Sequence, residues 1–455
     1  MRVVRLHYSG NNSIKTTGGN RLMNIQLQKY PNIWYGWFLV TCLTFSYILS
    51  YTDRYVIYLL NTAIKADLFL TDTQMGLLMG PAFGIFYATA GIPLGILADK
   101  MRRLTLISIG MMIWSAATIA CGMVKTFTDL FISRMVVGVG EACLSPAAIS
   151  LISDCFPKEK RGLPIGIYFA ALSFGAGISN LIFGPILEYS KSHNSIPIFG
   201  EVTYWQLTFI IVGLPGIVFA LMLLILKEPK RISEANDKAL STSFWQISKQ
   251  FFSKDWTVMI TFYLTFGMMT IIAYGHAWSP ALFEKIHGWD RAYYAKINGI
   301  VLLATAPLCT IFFGWLSDRL MKKHGNLVPM RMALLSFTVM VLSGVIGPII
   351  PNAYGCFIVL TLSTIAIAGM TAVGPNALIQ IVPANLRGVS SAFYFMTISM
   401  TGLFLGPPTI GFVNDTFFHS LDVSMSFTFL FYAVPFSVIA AIAYKLYIKK
   451  LATIQ

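Results

Sequence analysis

Twelve apolar runs divide this chain, at roughly 37–62, 75–97, 104–123, 127–152, 163–187, 205–226, 257–282, 295–316, 330–350, 354–380, 388–413 and 424–447. A helix needs about 20 predominantly apolar residues to cross a bilayer, and each run is near or above that length. Over 455 residues the composition is 56% hydrophobic and only 11% charged, which fits a polytopic membrane protein and not a large soluble core. The fold class expected is therefore all-α, with twelve transmembrane helices.

The formal charge of +14 is not spread evenly and does not point to nucleic acid. Lys and Arg concentrate in alternate loops. One set holds the N-terminal tail, Lys100, Arg102 and Arg103, Lys158, Lys160 and Arg161, the stretch 227–254, Arg319, Lys322, Lys323, Arg331 and Arg387, and the C-terminal tail. The other set holds little beyond Lys65, Lys125, Lys191, Lys285, Arg291 and Lys296. Cytoplasmic loops carry such an excess, so both termini are expected in the cytoplasm. Residues 1–36 are polar and basic without the apolar core of a secretory signal, and read as a cytoplasmic tail. Met1 and Met23 both remain open as the start. The six cysteines form no spaced cluster and read as small buried hydrophobes, with no zinc or disulfide framework.

The two halves repeat. Gly95-Ile-Leu-Ala-Asp99-Lys-Met-Arg102-Arg103 follows the second run, and Gly314-Trp-Leu-Ser-Asp318-Arg319-Leu-Met-Lys322-Lys323 follows the eighth. Pro157-Lys-Glu-Lys-Arg161-Gly162 precedes the fifth, and Pro383-Ala-Asn-Leu-Arg387-Gly388 precedes the eleventh. Two signatures recurring in the same order, 99 to 318 and 161 to 387, indicate a six-span unit duplicated in parallel, with a substrate path between the halves. The domains expected are a tail (1–36), an N-terminal half (37–226), a cytoplasmic linker with an amphipathic end (227–256) and a C-terminal half (257–455).

Four charges interrupt the greasy spans: Asp53 and Arg54 in the first, Arg134 and Glu141 in the fourth. Each costs about 2.5–3.5 kcal/mol on insertion scales, so such groups face protein or water. On a helix Arg134, Gly138, Glu141 and Ser145 share one face. A carboxyl in a low-dielectric site holds its proton more tightly, which makes Glu141 able to load and release protons. The alternative is a static Glu–Arg pair that fixes packing. Arg54 stays charged at any working pH, and Tyr47, Tyr51 and Tyr58 lie on its helix face. An arginine among phenols suits a carboxylate or phosphate head group; its alternative is a partner of Asp53 or Glu141 with no ligand contact. Arg134 is either a gate or pairing residue or an interface anchor. The C-terminal half carries no charge at membrane depth. Its polar and aromatic candidates include His276, Asn376 and Tyr394, and its apolar wall suits an amphiphilic substrate. Gly76, Gly80, Gly84, Gly91 and Gly95 on one face of the second span read as a helix-packing surface.

These residues resemble the major facilitator superfamily. Gly-x-x-x-Asp-x-x-Arg-Arg after the second span resembles its signature loop, and the copy after the eighth is a weaker version. Within the superfamily the chain is most similar to the Spinster-like branch, on Tyr51-Thr52-Asp53-Arg54-Tyr55, Arg134-x-x-x-Gly138-Val-Gly140-Glu141-Ala142, Ser153-Asp154-Cys-Phe156-Pro157 and Trp205-x-x-x-Phe209-x-x-Val212-Gly213-Leu-Pro215-Gly216. Thr52 stands where a Leu is usual, and Pro146 follows Ser145. The resemblance implies proton coupling through Asp53, Arg54 and Glu141, and a gate latch of Asp99, Arg102 and Arg103 with Asp318 and Arg319.

No Walker loop, Gly-x-Ser-x-Gly, His-Glu-x-x-His or Cys-x-x-Cys is present, so neither an enzyme nor a cofactor or metal is expected. The function expected is secondary active transport of a small amphiphile or organic anion, lysolipid-like in the first instance, coupled to protons by alternating access. Expected partners are that substrate, protons and membrane lipids, with no nucleic acid and a monomeric chain. A sugar acid, siderophore or drug is the alternative cargo. An uncoupled lipid scramblase or a transporter-like sensor is the alternative class. A bacterial chain of this kind would sit in the cytoplasmic membrane.

Overall fold

A computed structural model describes residues 6–9, 13–16, 25–26, 30–157, 160–193, 195–196, 200–231, 244–382 and 387–454. Among them eleven helices are long and apolar enough to cross a membrane, and a bent pair, Asp72–Gly91 with Pro93–Lys100, makes a twelfth span. The N-terminal half comprises α1 (Ile33–Leu59), α2 (Asn61–Asp67), α3 (Asp72–Met79), α4 (Pro81–Lys100), α5 (Arg103–Cys121), α6 (Phe127–Glu141), α7 (Leu144–Cys155), α8 (Gly162–Ser192) and α9 (Tyr204–Ile225). The C-terminal half comprises α10 (Phe244–Gly275), α11 (Ser279–Lys285), α12 (Arg291–His324), α13 (Val328–Ile346), α14 (Ala353–Ile381), α15 (Arg387–Val413) and α16 (Leu421–Ile454). Short antiparallel pairings lie outside the spans: β1 (Leu6–Ser9), β2 (Ser13–Thr16) and β3 (Ile25–Gln26) in the tail, β4 (Ser195–Ile196) and β5 (Gly200–Glu201) between α8 and α9.

Where the helices break is set by proline and glycine. The fourth run reads as continuous in sequence and crosses as one span, Phe127–Cys155, but its helix is interrupted at Ala142 and Cys143, directly after Glu141. Pro146 lacks the N–H that would bond the carbonyl of Ala142, and its ring crowds that carbonyl, so the regular hydrogen-bond ladder opens there. The second span breaks at Gly80, ahead of Pro81, and bends by 43° at Pro93. The amphipathic stretch after the linker is not a separate surface helix. It is the start of α10, which runs unbroken from Phe244 into the seventh span. Residues 232–243 of the linker lie outside the described residues. The cysteines are free; five are buried and Cys309 is half-buried.

The halves meet chiefly where α3 and α4 pack on α15 and where α8 packs on α12. Glycine permits these approaches. A Cβ at Gly76 would lie 2.6 Å from the Pro407 carbonyl oxygen, and one at Gly84 would lie 2.9 Å from Leu403. A Cβ at Gly299 would lie 2.9 Å from the carbonyl oxygen of Gly177. All these contacts lie away from the termini. Gly91 and Gly95 were expected to continue the same packing face, yet nothing approaches Gly91 within 4 Å and only Pro146, at 3.9 Å, approaches Gly95. Gly162, Gly166 and Gly314 are equally open. The bundle is thus sealed at the end opposite the termini and parted at the end that bears them.

Candidate transport site

Midway along α1 two turns of helix carry the polar groups. Ser50 and Arg54 are four residues apart, so they reach the same neighbour, Glu141 at the end of α6. Arg54 Nε donates to Glu141 Oε2 at 2.5 Å, and Ser50 Oγ donates to the same oxygen at 2.7 Å. Glu141 is 1% exposed, and its Oε1 has no partner among the described residues. Arg54 keeps 17% exposure of its side chain. Its guanidinium lies over the rings of Phe83 and Tyr87 of α4, 4.4 and 4.5 Å from their centroids. The two rings are four apart on the glycine face of the second span, so α4 presents them together. A Cβ at Gly138 would lie 2.5 Å from the carbonyl oxygen of Phe83, which shows how closely α6 holds α4 there.

Asp53 and Arg134 form the second layer. Both are buried, at 2% and 1% exposure. Arg134 Nη1 donates to the backbone carbonyl of Asp53 at 3.2 Å, while Nε and Nη2 have no partner among the described residues. Its guanidinium is 5.6 Å from the centre of the Phe83 ring. A side chain this deeply buried is not an interface anchor, and the snorkelling alternative falls. Arg54 pairs with Glu141 and not with its neighbour Asp53, because consecutive helical residues point to different faces.

The remaining candidates separate into two groups. Around Arg54, Tyr47 stacks on Tyr168 with centroids 5.0 Å apart, and Tyr168 shares a hydrogen bond of 3.0 Å with Ser145. Tyr51 stacks on Tyr55, and the Tyr58 hydroxyl points away, to the carbonyl of Met79 at 3.4 Å. In the C-terminal half, His276 is held between Ser363 at 2.9 Å and Ser279 at 3.4 Å, with its ring against Phe429. All three neighbours belong to its own half. Tyr394 is 2% exposed in an aromatic cluster with Phe262 and Phe266. Asn376 is half-buried on α14. The structure therefore gathers Arg54, Glu141, Tyr47 and Ser145 in the N-terminal half and leaves His276 and Tyr394 in the packing of the other.

At the end bearing the termini, Arg103 is buried and bonds four ways: Nη1 to Asp154 and, at 2.9 Å, to Ser150, Nε to Glu228 at 2.9 Å, and Nη2 to the Pro229 carbonyl at 3.4 Å. Arg102 donates to the carbonyl of Leu226, and Arg231 closes over the last carbonyls of α4, including that of Asp99. These bonds stay within the N-terminal half and its linker. Asp318 and Arg319 are exposed, and the Arg319 guanidinium lies over Trp315 of its own helix. Sequence reasoning missed Phe83, Tyr87 and Ser50 beside Arg54. Their spacings by four were a usable signal. Asp154 stood out only as part of a family motif and Glu228 not at all, and neither could be paired with Arg103, which each reaches from a distant part of the chain.

The model of the Major Facilitator Superfamily matches residues 43–407. A hexuronate transporter of Bacillus subtilis (strain 168) is 24% identical over 382 residues, 81% of this chain and 85% of that protein. The sphingosine-1-phosphate transporter of Danio rerio is 29% identical over 192 residues; the match covers 42% of this chain and about a third, 36%, of that protein. A crystal structure of a bacterial homologue of the human lysosomal transporter Spinster, inward-facing and unoccupied, superposes with a TM-score of 0.77 at 24% identity, over 92% of this chain and 97% of that one. The chain is a multi-pass membrane protein of the Major Facilitator Superfamily, close to its Spinster-like branch.

Proposed function

We propose that this protein is a secondary active transporter of an organic anion, with the acid group taken by Arg54 and the proton by Glu141. The observation that carries this reading is the single bond from Arg54 Nε to a buried Glu141 whose other oxygen has no hydrogen-bond partner among the described residues. A proton on Glu141 removes the charge that holds Arg54. The guanidinium, still partly exposed and backed by two aromatic rings, is then free to take a carboxylate or phosphate in its planar fork. Proton and substrate thus alter one another's binding through a shared arginine, which is the physical content of coupling. Asp53 beside Arg134 supplies a second carboxyl that keeps the site's net charge low.

Two relatives carry a hexuronate and sphingosine-1-phosphate, and both substrates present an anionic group. The aromatic surface around Arg54 and the uncharged opposite wall favour an anionic amphiphile such as a lysolipid over a sugar acid. Lysine and arginine placement puts the termini, and so the parted end, on the cytoplasmic side. The test is substrate-dependent proton flux in proteoliposomes against a panel of lysophospholipids and hexuronates. Flux with a lysophospholipid supports the reading; flux with a hexuronate alone keeps the anion site and overturns the amphiphile. No flux with any anion, beside transport of a neutral compound, overturns the site.

A further inference from the structure

We infer that Asp415 is the latch that holds the sealed end of this transporter shut, acting as a helix cap supplied by one half to the other. The first residues of α3 pose the problem that the latch solves. A helix begins with four N–H groups that have no partner inside it. Thr71 and Gln74 form a reciprocal cap that satisfies the N–H of Gln74, but those of Asp72 and Thr73 remain. Among the described residues nothing in the N-terminal half fills them. Asp415, more than 340 residues away in the other half, fills both: Oδ1 accepts from Asp72 N at 3.0 Å and Oδ2 from Thr73 N at 2.7 Å. The Thr73 hydroxyl adds a third bond to Oδ2 at 2.7 Å. A carboxylate is the right group here, since it offers two acceptors side by side and its charge is favoured at a helix N-terminus.

The backbone around Asp415 is shaped for this reach. After α15 the chain widens into a π-turn, Asn414–Phe418, which ends on His419 in a left-handed conformation at φ 52°. The turn brings Asn414 and Asp415 against the start of α3. Asn414 Nδ2 donates to Asp72 Oδ2 at 2.7 Å, and Ser424 holds the other side of that amide at 2.9 Å. Lys65 completes the cluster with a 2.6 Å pair to Asp72. One turn before, Gly411 lies against the Asp72 carbonyl so closely that a Cβ could not fit without moving backbone. When this end opens, the N–H groups of Asp72 and Thr73 pass from Asp415 to water, so the bond weighs directly on the balance between the two states.

The inference rests on the transport fold and not on the choice of substrate or on proton coupling. It is tested with Asp415→Asn and Gly411→Ala, which disturb the seam by different physics, in reconstituted full-length protein without substrate. Asparagine keeps the size but loses the charge and one acceptor. Spin labels at positions 125 and 351 report the sealed end, and labels at 100 and 323 report the other. Thr62, in the second position of α2, bonds Glu284 of the other half across the sealed end; maleimide modification of Thr62→Cys, carried by every variant and by the wild-type reference so that its own loss is common to all, tracks openings too rare for the spin-label distances. The expected result is an open-to-sealed ratio at position 62 at least tenfold above wild type in Asp415→Asn, equivalent to about 1.4 kcal/mol, with longer 125–351 distances and shorter 100–323 distances. Gly411→Ala shifts the same way, and Asp415→Glu recovers part of the effect. Melting temperatures near wild type show that the halves themselves are intact. Wild-type distances and modification rates in both variants overturn the inference, as does opening in Gly411→Ala with none in Asp415→Asn.

Discussion

Arg54 has one guanidinium and two claims upon it, Glu141 now and an anion on our reading. A hydrogen bond to a charged group contributes about 1.5–3 kcal/mol, and about 1.4 kcal/mol is tenfold in affinity. Arg54→Ala is therefore expected to weaken substrate binding at least tenfold, measured by calorimetry on purified protein at a pH where the substrate is ionised. Arg54→Lys should lose less but still clearly, because an ammonium keeps the charge without the planar fork. Unchanged affinity in Arg54→Ala would leave the arginine serving Glu141 alone. The charges themselves were legible in the sequence, since an ionised group in an apolar run is costly and must face protein or water. Their partners were not. Arg54 and Glu141 are 87 residues apart, and only the crossing of α1, α4 and α6 decides that Arg54 meets Glu141, Phe83 and Tyr87 while Arg134 takes the backbone carbonyl of Asp53.

At the scale of the element, the spans were legible and their breaks were not. Apolar length reveals a crossing helix, but residues 127–152 give no periodic sign that the helix is interrupted after Glu141. The Pro146 that causes it was visible only as a departure from a family pattern. The glycines show the same limit. Gly140 and Gly91 look alike in sequence, yet a Cβ on Gly140 would lie 2.8 Å from the backbone nitrogen of Trp114, and one on Gly91 would meet nothing. Alanine in place of glycine gains up to about 1 kcal/mol of helix propensity. Overpacking costs about 1–3 kcal/mol, and at Gly140 the obstacle is backbone that cannot swing aside. Gly140→Ala should therefore lower the melting temperature, and Gly91→Ala should leave it level or raise it, in a thermal-shift assay in detergent. The reverse order would contradict the packing described for α5 and α6.

For the whole molecule, apolar run length and duplication carried most of the architecture. The recurrence of two motifs in order implied paired six-helix halves, and the helices fall into that arrangement. Which end is sealed was beyond the sequence, because Gly76 and Gly91 differ only in what the other half brings near them. The orientation proposed from lysine and arginine places residues 100–103, the 227–254 stretch and both termini in the cytoplasm. A cysteine at position 240 should react with an impermeant reagent in inside-out vesicles and not in intact cells; labelling from outside would invert the topology.

The central claim is that the proton and the anion share Arg54 through Glu141, and Glu141→Gln tests it most directly. Glutamine keeps the shape and can still accept from Ser50 and Arg54, but it cannot take up or release a proton. In proteoliposomes loaded with substrate, the variant should still exchange labelled for unlabelled substrate across the membrane. Under an imposed pH gradient it should fail to accumulate substrate, where the wild type concentrates it. Accumulation against a gradient by Glu141→Gln at the wild-type level would contradict the account and move the coupling proton elsewhere.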